Sequence, residues 1–258
     1  MIGSVAKLPV IRVDREAFLR QQFADSEYLD EILEHGPQRV YTVESLRRKA
    51  DGVIKKSTNQ TTLAAFVAGI PGGPAAVAAG GADVAQYFGF AINLAQKIAY
   101  LFGEDDLFTD ESELNEGAKV RVLAYLGVML GASGSAMLVE KLAREVGKNM
   151  GKKITQQALT KTTWCPLLKK IGAMVGKRVV KESVGKAVAK VVPVVGGAIS
   201  GVITYATFKP MGGRLADVLV RNLNGDFDET GMELRPEFKK ANASENGEVT
   251  IHEIEIDD

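Results

Sequence analysis

From Ser57 to Gln96 the sequence carries one formal charge, Asp83, in forty residues. Any fold of this chain must first dispose of that run. It goes into a membrane or into the deep core of a helical bundle. The run is also interrupted. In "GIPGGPAAVAAGGAD", residues 69–83, Pro71 and Pro74 enclose Gly72 and Gly73. A helix entering this segment cannot pass through it, because proline lacks the backbone N–H and clashes with the preceding turn. The glycines permit a tight reversal. The pattern predicts helices over 43–69 and 75–102, folded back through a turn at Gly69, Pro71, Gly72, Gly73 and Pro74. A second such phrase, "VVPVVGGAISGVITY", predicts another turn at Pro193, Gly196 and Gly197. A helix over "AISGVITYATF" would follow it, with a further helix after Pro210.

Aromatic residues make up only 7% of the chain, while glycines number 27. That composition suits closely packed helices better than a sandwich of strands. The expected fold is all-α: one helical domain of long helices with two Pro/Gly-tipped hairpins and an acidic tail. Residues 1–40 read as short N-terminal helices, 41–223 as the main helical domain, and 224–258 as the tail. Asp14 fits the N-cap of a first helix, with Val13 and Phe18 as a hydrophobic staple. Ser26 to His35 reads as a second helix, ended by Gly36 and Pro37. Thr42 fits the next N-cap, with Tyr41 and Leu46 as its staple. Gly103 is the expected stop of the helix through residue 102, and one helix is expected from about 117 to 150. "EVTIHEIEI" alone looks strand-like, and its alternation slips at His252–Glu253.

Glycines spaced four apart recur at Gly127/Gly131, Gly147/Gly151, Gly172/Gly176 and Gly197/Gly201. Such spacing clears one helix face for close approach, in a membrane or in a soluble bundle. Three segments are free of charge: 57–82, 122–139 and 191–208. The first and third are broken by proline, and the second is 18 residues rich in glycine, alanine and serine. A spanning helix needs about 20 strongly apolar residues. A soluble or membrane-associated protein is therefore expected rather than a polytopic one.

Net charge is zero, but the signs are sorted. Residues 104–116 hold seven acids and no base, and 224–258 hold eleven acids against three bases. Residues 141–190 hold thirteen Lys/Arg against two Glu. Within that block Lys152, Lys153, Lys169, Lys170, Lys177, Arg178 and Lys181 read either as a solvated helix face or as a contact for anionic lipid. Nucleic acid is not expected as a partner, because aromatic residues are not interleaved with the basic ones.

At 100° per residue, Asp83, Gln86, Asn93 and Lys97 fall on one side of the helix predicted over 75–102. They read as the solvent face of a half-buried helix or as a polar seam facing a partner helix, cavity or ion path. Lys97 lies too far along the helix to pair with Asp83. Catalytic signals are thin. His35 suits a helix C-terminus, where a cation complements the dipole, and His252 lies in the acidic tail. Cys165, the only cysteine, reads as a packed thiol beside Trp164. "GKNMGKK" and "GAMVGKR" fail as phosphate-binding loops: their glycines are one residue too close and no Ser/Thr follows the lysine. No enzyme activity, metal or cofactor is expected. The start, "MIGSVAKLPVIRVDREAF", lacks the apolar core of a signal peptide, and the expected location is cytoplasmic, peripheral on the inner face of the cell membrane.

The phrase "AAFVAGIPGGPAAVAAGGADVAQYFGFAINLAQKIAYLFGEDD" resembles the signature region of the EcsC family: a Gly/Pro turn, an aspartate shortly after it, a helix ending in "IAYLFG", and an acidic loop. "VVPVVGGAISGVITYATFKPM" resembles that family's second signature. With "RVLAYLGVMLGASG" the resemblance covers roughly residues 45–220. Phe102 departs from the tyrosine usual in that family. The chain also resembles helical domains appended to bacterial GTPases, without any GTPase motif of its own. The resemblance implies a bacterial, membrane-linked protein, in a family named for a protein encoded beside an ABC transporter, with no settled reaction. The expected function is a non-enzymatic accessory protein on an anionic membrane surface or a membrane protein. The alternative is a soluble protein holding an apolar ligand or a protein partner between Gly-rich helices.

Overall fold

The computed structural model describes residues 12–69, 80–107, 116–132, 134–148, 173 and 195–225. These are 81% helical, with seven α-helices and no strands among them. In chain order the helices are α1 (Arg15–Gln22), α2 (Leu29–His35), α3 (Val43–Gly69), α4 (Gly80–Leu101), α5 (Glu116–Met129), α6 (Ser135–Lys148) and α7 (Val195–Asn224). A single 3₁₀ turn, Pro37–Arg39, precedes α3.

The long helices α3, α4 and α7 pack on one another, with the most extensive contact between α3 and α7. The shorter α5 and α6 pack together and against α7, and α1 lies on α4. From Tyr87 to Phe102 the only residues of α4 that are not buried are Phe90, Asn93 and Lys97. The last ten residues of the uncharged run, 87–96, are therefore mostly deep core. Ile92, Leu94, Ile98 and Leu101 have essentially no exposure and meet Leu46, Leu126, Met129 and Phe208 in one cluster. Val13, Phe18, Leu19 and Ile32 join the same cluster, so the N-terminal helices share the core of the long ones.

Local chemistry starts and stops these helices. Asp14 caps α1 by accepting the Ala17 N–H at 2.9 Å, and Thr42 caps α3 by accepting the Ser45 N–H at 3.2 Å. At the end of α4, Gly103 takes φ 86°. Its N–H bonds the Tyr100 carbonyl and the Glu104 N–H bonds that of Ala99, which is a Schellman stop. Gly103 also lies against the side chain of Gln38, where a Cβ would have no room.

Four expectations are corrected. The helix expected from 117 to 150 is two helices. Gly131 adopts φ 67°, its N–H bonds Val128 O, and the Ala132 N–H reaches Gly127 O at 2.7 Å. Gly131 thus ends α5 as the left-handed residue of a Schellman motif and is not half of a packing face with Gly127. Replacing Gly131 with alanine should lower stability by about 1–2 kcal/mol, the penalty for a Cβ in this conformation. A denaturant midpoint unchanged from the parent would refute that assignment.

The second correction concerns the last helix, which runs straight through Pro210. The carbonyl freed by the missing N–H belongs to Ala206. Both Ala206 and Pro210 are exposed, so water can satisfy it. Third, Gly196 and Gly197 lie in the first turn of α7 rather than in a hairpin turn, because the helix already begins at Val195. Fourth, α2 begins at Leu29 and not at Ser26. The Ser26 hydroxyl instead accepts the Tyr28 N–H and the Tyr41 O–H, the latter at 2.7 Å, which holds the preceding turn.

Candidate functional site

Two contacts fix the register of α3 against α7. Arg47 donates to Asp217 at 3.1 and 2.9 Å and also pairs with Asp51. Further along, Gly212 approaches Ile54 so closely that a Cβ would stand 2.8 Å from its Cγ1. The residue numbers rise on one helix as they fall on the other, so the pair is antiparallel. Continuing that register brings Thr61 and Thr62 level with Thr204.

This end of the pair is lined with hydroxyls. Ser57, Thr58, Thr61 and Thr204 are all buried. Thr61 donates to Ser57 O at 2.8 Å, in the back-bonding typical of a helical threonine. Outside the hydroxyl layer the surface turns apolar. Leu63, Val202 and Tyr205 are 63%, 69% and 43% exposed, and they are the only large hydrophobic residues so exposed among the described ones. All three lie where α3 from Ser57 and α7 up to Phe208 carry no charged residue. No described helix is long and apolar enough to cross a membrane.

The predicted seam is a single line on α4. Gln86 is exposed, and Asn93 and Lys97 are partly exposed, with Phe90 between them. Asp83 belongs to α4, but its side chain lies outside the described residues. Burial lowers the pKa of the Lys97 ammonium, and the like charge of Lys56 on α3 lowers it further. Pro71, Gly72, Gly73, Pro74 and Pro193 also lie outside the described residues, as do Lys152, Lys153, Lys169, Lys170, Lys177, Arg178 and Lys181. Gly69 is the last residue of α3.

At the other end of α4 is a polar cluster that the sequence reading missed. Glu104 lies 3.4 Å from Arg121, with side chains only 18% and 13% exposed. The Tyr125 hydroxyl is bonded to the same Glu104, and the Tyr100 O–H donates to Asp106 at 3.0 Å. Arg15 donates to the Glu104 and Leu33 carbonyls, tying α1 and α2 to this turn. Burial, with the neighbouring carboxylates second, raises the pKa of both phenols, so Tyr100 and Tyr125 are neutral donors at physiological pH. The arrangement clamps α1, α2 and α5 to the end of α4. Its signal in the sequence was the acidic run placed directly after the Gly103 stop.

Among the described residues no three His, Cys, Asp or Glu side chains gather as metal ligands. His35 is exposed beside Glu34 at 3.7 Å. Compared with family models, curated proteins and solved structures, the chain matches none.

Proposed function

We propose that this protein is a non-enzymatic helical accessory protein that docks on a membrane through the end of its α3–α7 pair. The exposure of Leu63, Val202 and Tyr205 on charge-free helix ends carries the reading. Scattered exposed apolar residues need no explanation, whereas a group of them on neighbouring uncharged ends marks a contact surface. Both Pro/Gly phrases of the sequence adjoin these ends, since α3 stops at Gly69 and α7 starts at Val195. Bilayer contact there needs only shallow insertion and no spanning helix. The resemblance to the EcsC family adds a setting: the inner face of a bacterial membrane, in the service of a transporter or secretion process. An apolar ligand held between the long helices is the weaker reading, because Gly212 packs against Ile54 and Leu94 with no space between them.

Flotation with vesicles tests the docking. The parent should float with phosphatidylcholine vesicles and stay bound in high salt, since apolar insertion is not screened. Leu63→Asp and Val202→Asp, made together, should abolish flotation while leaving the helical circular dichroism intact. Flotation by the double variant at the parent's level would refute the proposal.

A further inference from the structure

The core stripes of α3 and α7 change character at the same end of the bundle. Along α7, Leu219, Leu215, Met211 and Phe208 are buried at three- and four-residue spacing, and the next position in that line is Thr204. Along α3, Leu46, Ala50 and Ile54 are followed by Thr58 and Thr61. Thr58 and Thr204 have no exposure at all. A threonine inside a helix commonly bonds its own backbone one turn back, as Thr61 does to the Ser57 carbonyl at 2.8 Å. Thr58, Thr62 and Thr204 do not. Among the described residues their buried hydroxyl oxygens have no hydrogen-bond partner. Thr58 and Thr62 are one turn, about 6 Å, apart on α3. The register fixed by Arg47 on Asp217 and by Ile54 on Gly212 sets Thr204 level with Thr62.

A hydroxyl buried without a partner is less favourable than the methyl group that valine would put in its place, because nothing offsets its desolvation. Two packed helices that keep three such hydroxyls therefore have something polar to satisfy them. The ligand has to donate and accept, since a threonine hydroxyl does both. An ion does not suit the site, because α3 from Ser57 and α7 up to Phe208 carry no charged residue. A bulky group does not suit it either, because the same pair of helices is in close contact at Ile54 and Gly212. Water meets all three conditions, and a buried water makes about three hydrogen bonds to groups otherwise unsatisfied. We propose that Thr58, Thr62 and Thr204 hold internal water that bridges α3 and α7 where their apolar stripes end. The site lies at the end of the bundle that carries Leu63, Val202 and Tyr205, and it does not depend on what that end docks to.

Crystallography of the full chain tests the site directly. A water oxygen should stand within about 3.2 Å of Thr204 Oγ1 and of Thr62 or Thr58 Oγ1. A protein group in that place, or a direct bond between the threonines, would overturn the proposal. Thermal unfolding gives a second readout in solution. Thr62→Val and Thr204→Val keep the shape of each side chain and remove the hydroxyl. Each should lower the thermal midpoint by about 2–4 °C, because the water loses a partner. The double variant should lose less than the sum, since both changes break the same bridge. A midpoint raised by either valine would mean that the hydroxyl there was satisfied by nothing, and strictly additive losses would mean that the two hydroxyls share no water. Either result would contradict the site.

Discussion

Arg121→Met should destabilise the protein by about 1–3 kcal/mol, between the small cost at an exposed ion pair and the larger one at a fully buried pair. Arg121 and Glu104 are part-buried, with side chains 13% and 18% exposed. Without the guanidinium, the Glu104 carboxylate would retain the Tyr125 hydroxyl as a side-chain partner. Methionine fills much of the same volume, so the loss is electrostatic rather than a cavity. A second substitution, Glu104→Gln, should recover part of the stability in the Arg121→Met background, because it removes the orphaned charge. Urea denaturation of the parent, the two single variants and the double variant gives the coupling directly. A loss below about 1 kcal/mol in Arg121→Met would mean that the pair behaves like an exposed one. The carbonyl of Glu104 also accepts from Arg15. Loosening this turn should therefore unfasten α1 before the long helices, which amide exchange in residues 15–22 would reveal.

Adjacent glycines on α7 should respond in opposite directions. At Gly212 a Cβ would meet Ile54 Cγ1 at 2.8 Å and Leu94 Cδ2 at 3.2 Å. Valine there forces two branches into the contact of three helices, and overpacking of this kind costs about 1–3 kcal/mol. Valine's better helix propensity does not offset it, being worth only a few tenths of a kcal/mol over glycine. At Gly213 no described atom lies within 4 Å of where a Cβ would stand. Gly213→Ala should stabilise the protein by up to about 1 kcal/mol, the difference in helix propensity. Equal effects at the two positions would show that α7 is not rotated as described.

Much of the fold was legible because it depends on neighbours in sequence. The caps at Asp14 and Thr42 and the stop at Gly103 are decided within a few residues, and a 3.6-residue period placed Gln86, Asn93 and Lys97 on one line. The errors arose where local signals compete. Gly127 and Gly131 read as a small-residue packing face, yet Gly131 uses its freedom to end α5. Pro210 read as a break, yet the exposed carbonyl of Ala206 lets the helix continue. What tertiary contact decides was not legible. Gly212 differs from Gly213 only by what faces it, and the Glu104 cluster joins Arg15 of α1 to Arg121 and Tyr125 of α5. The apolar end was half legible. Its two segments were seen as charge-free, but only the antiparallel register of α3 and α7 sets Leu63 at the same level of the bundle as Val202 and Tyr205.

Membrane docking through that end is the central claim, and the local environment of residue 202 tests it most directly. In a Cys165→Ser background, Val202→Cys carries an environment-sensitive fluorophore, and Asp217→Cys carries the same label further along α7. On adding phosphatidylcholine vesicles, the label at 202 should shift to the blue and be quenched by brominated acyl chains, while the label at 217 changes little. A label at 202 that stays water-like and unquenched, on vesicles that the protein binds, would contradict docking through the α3–α7 end.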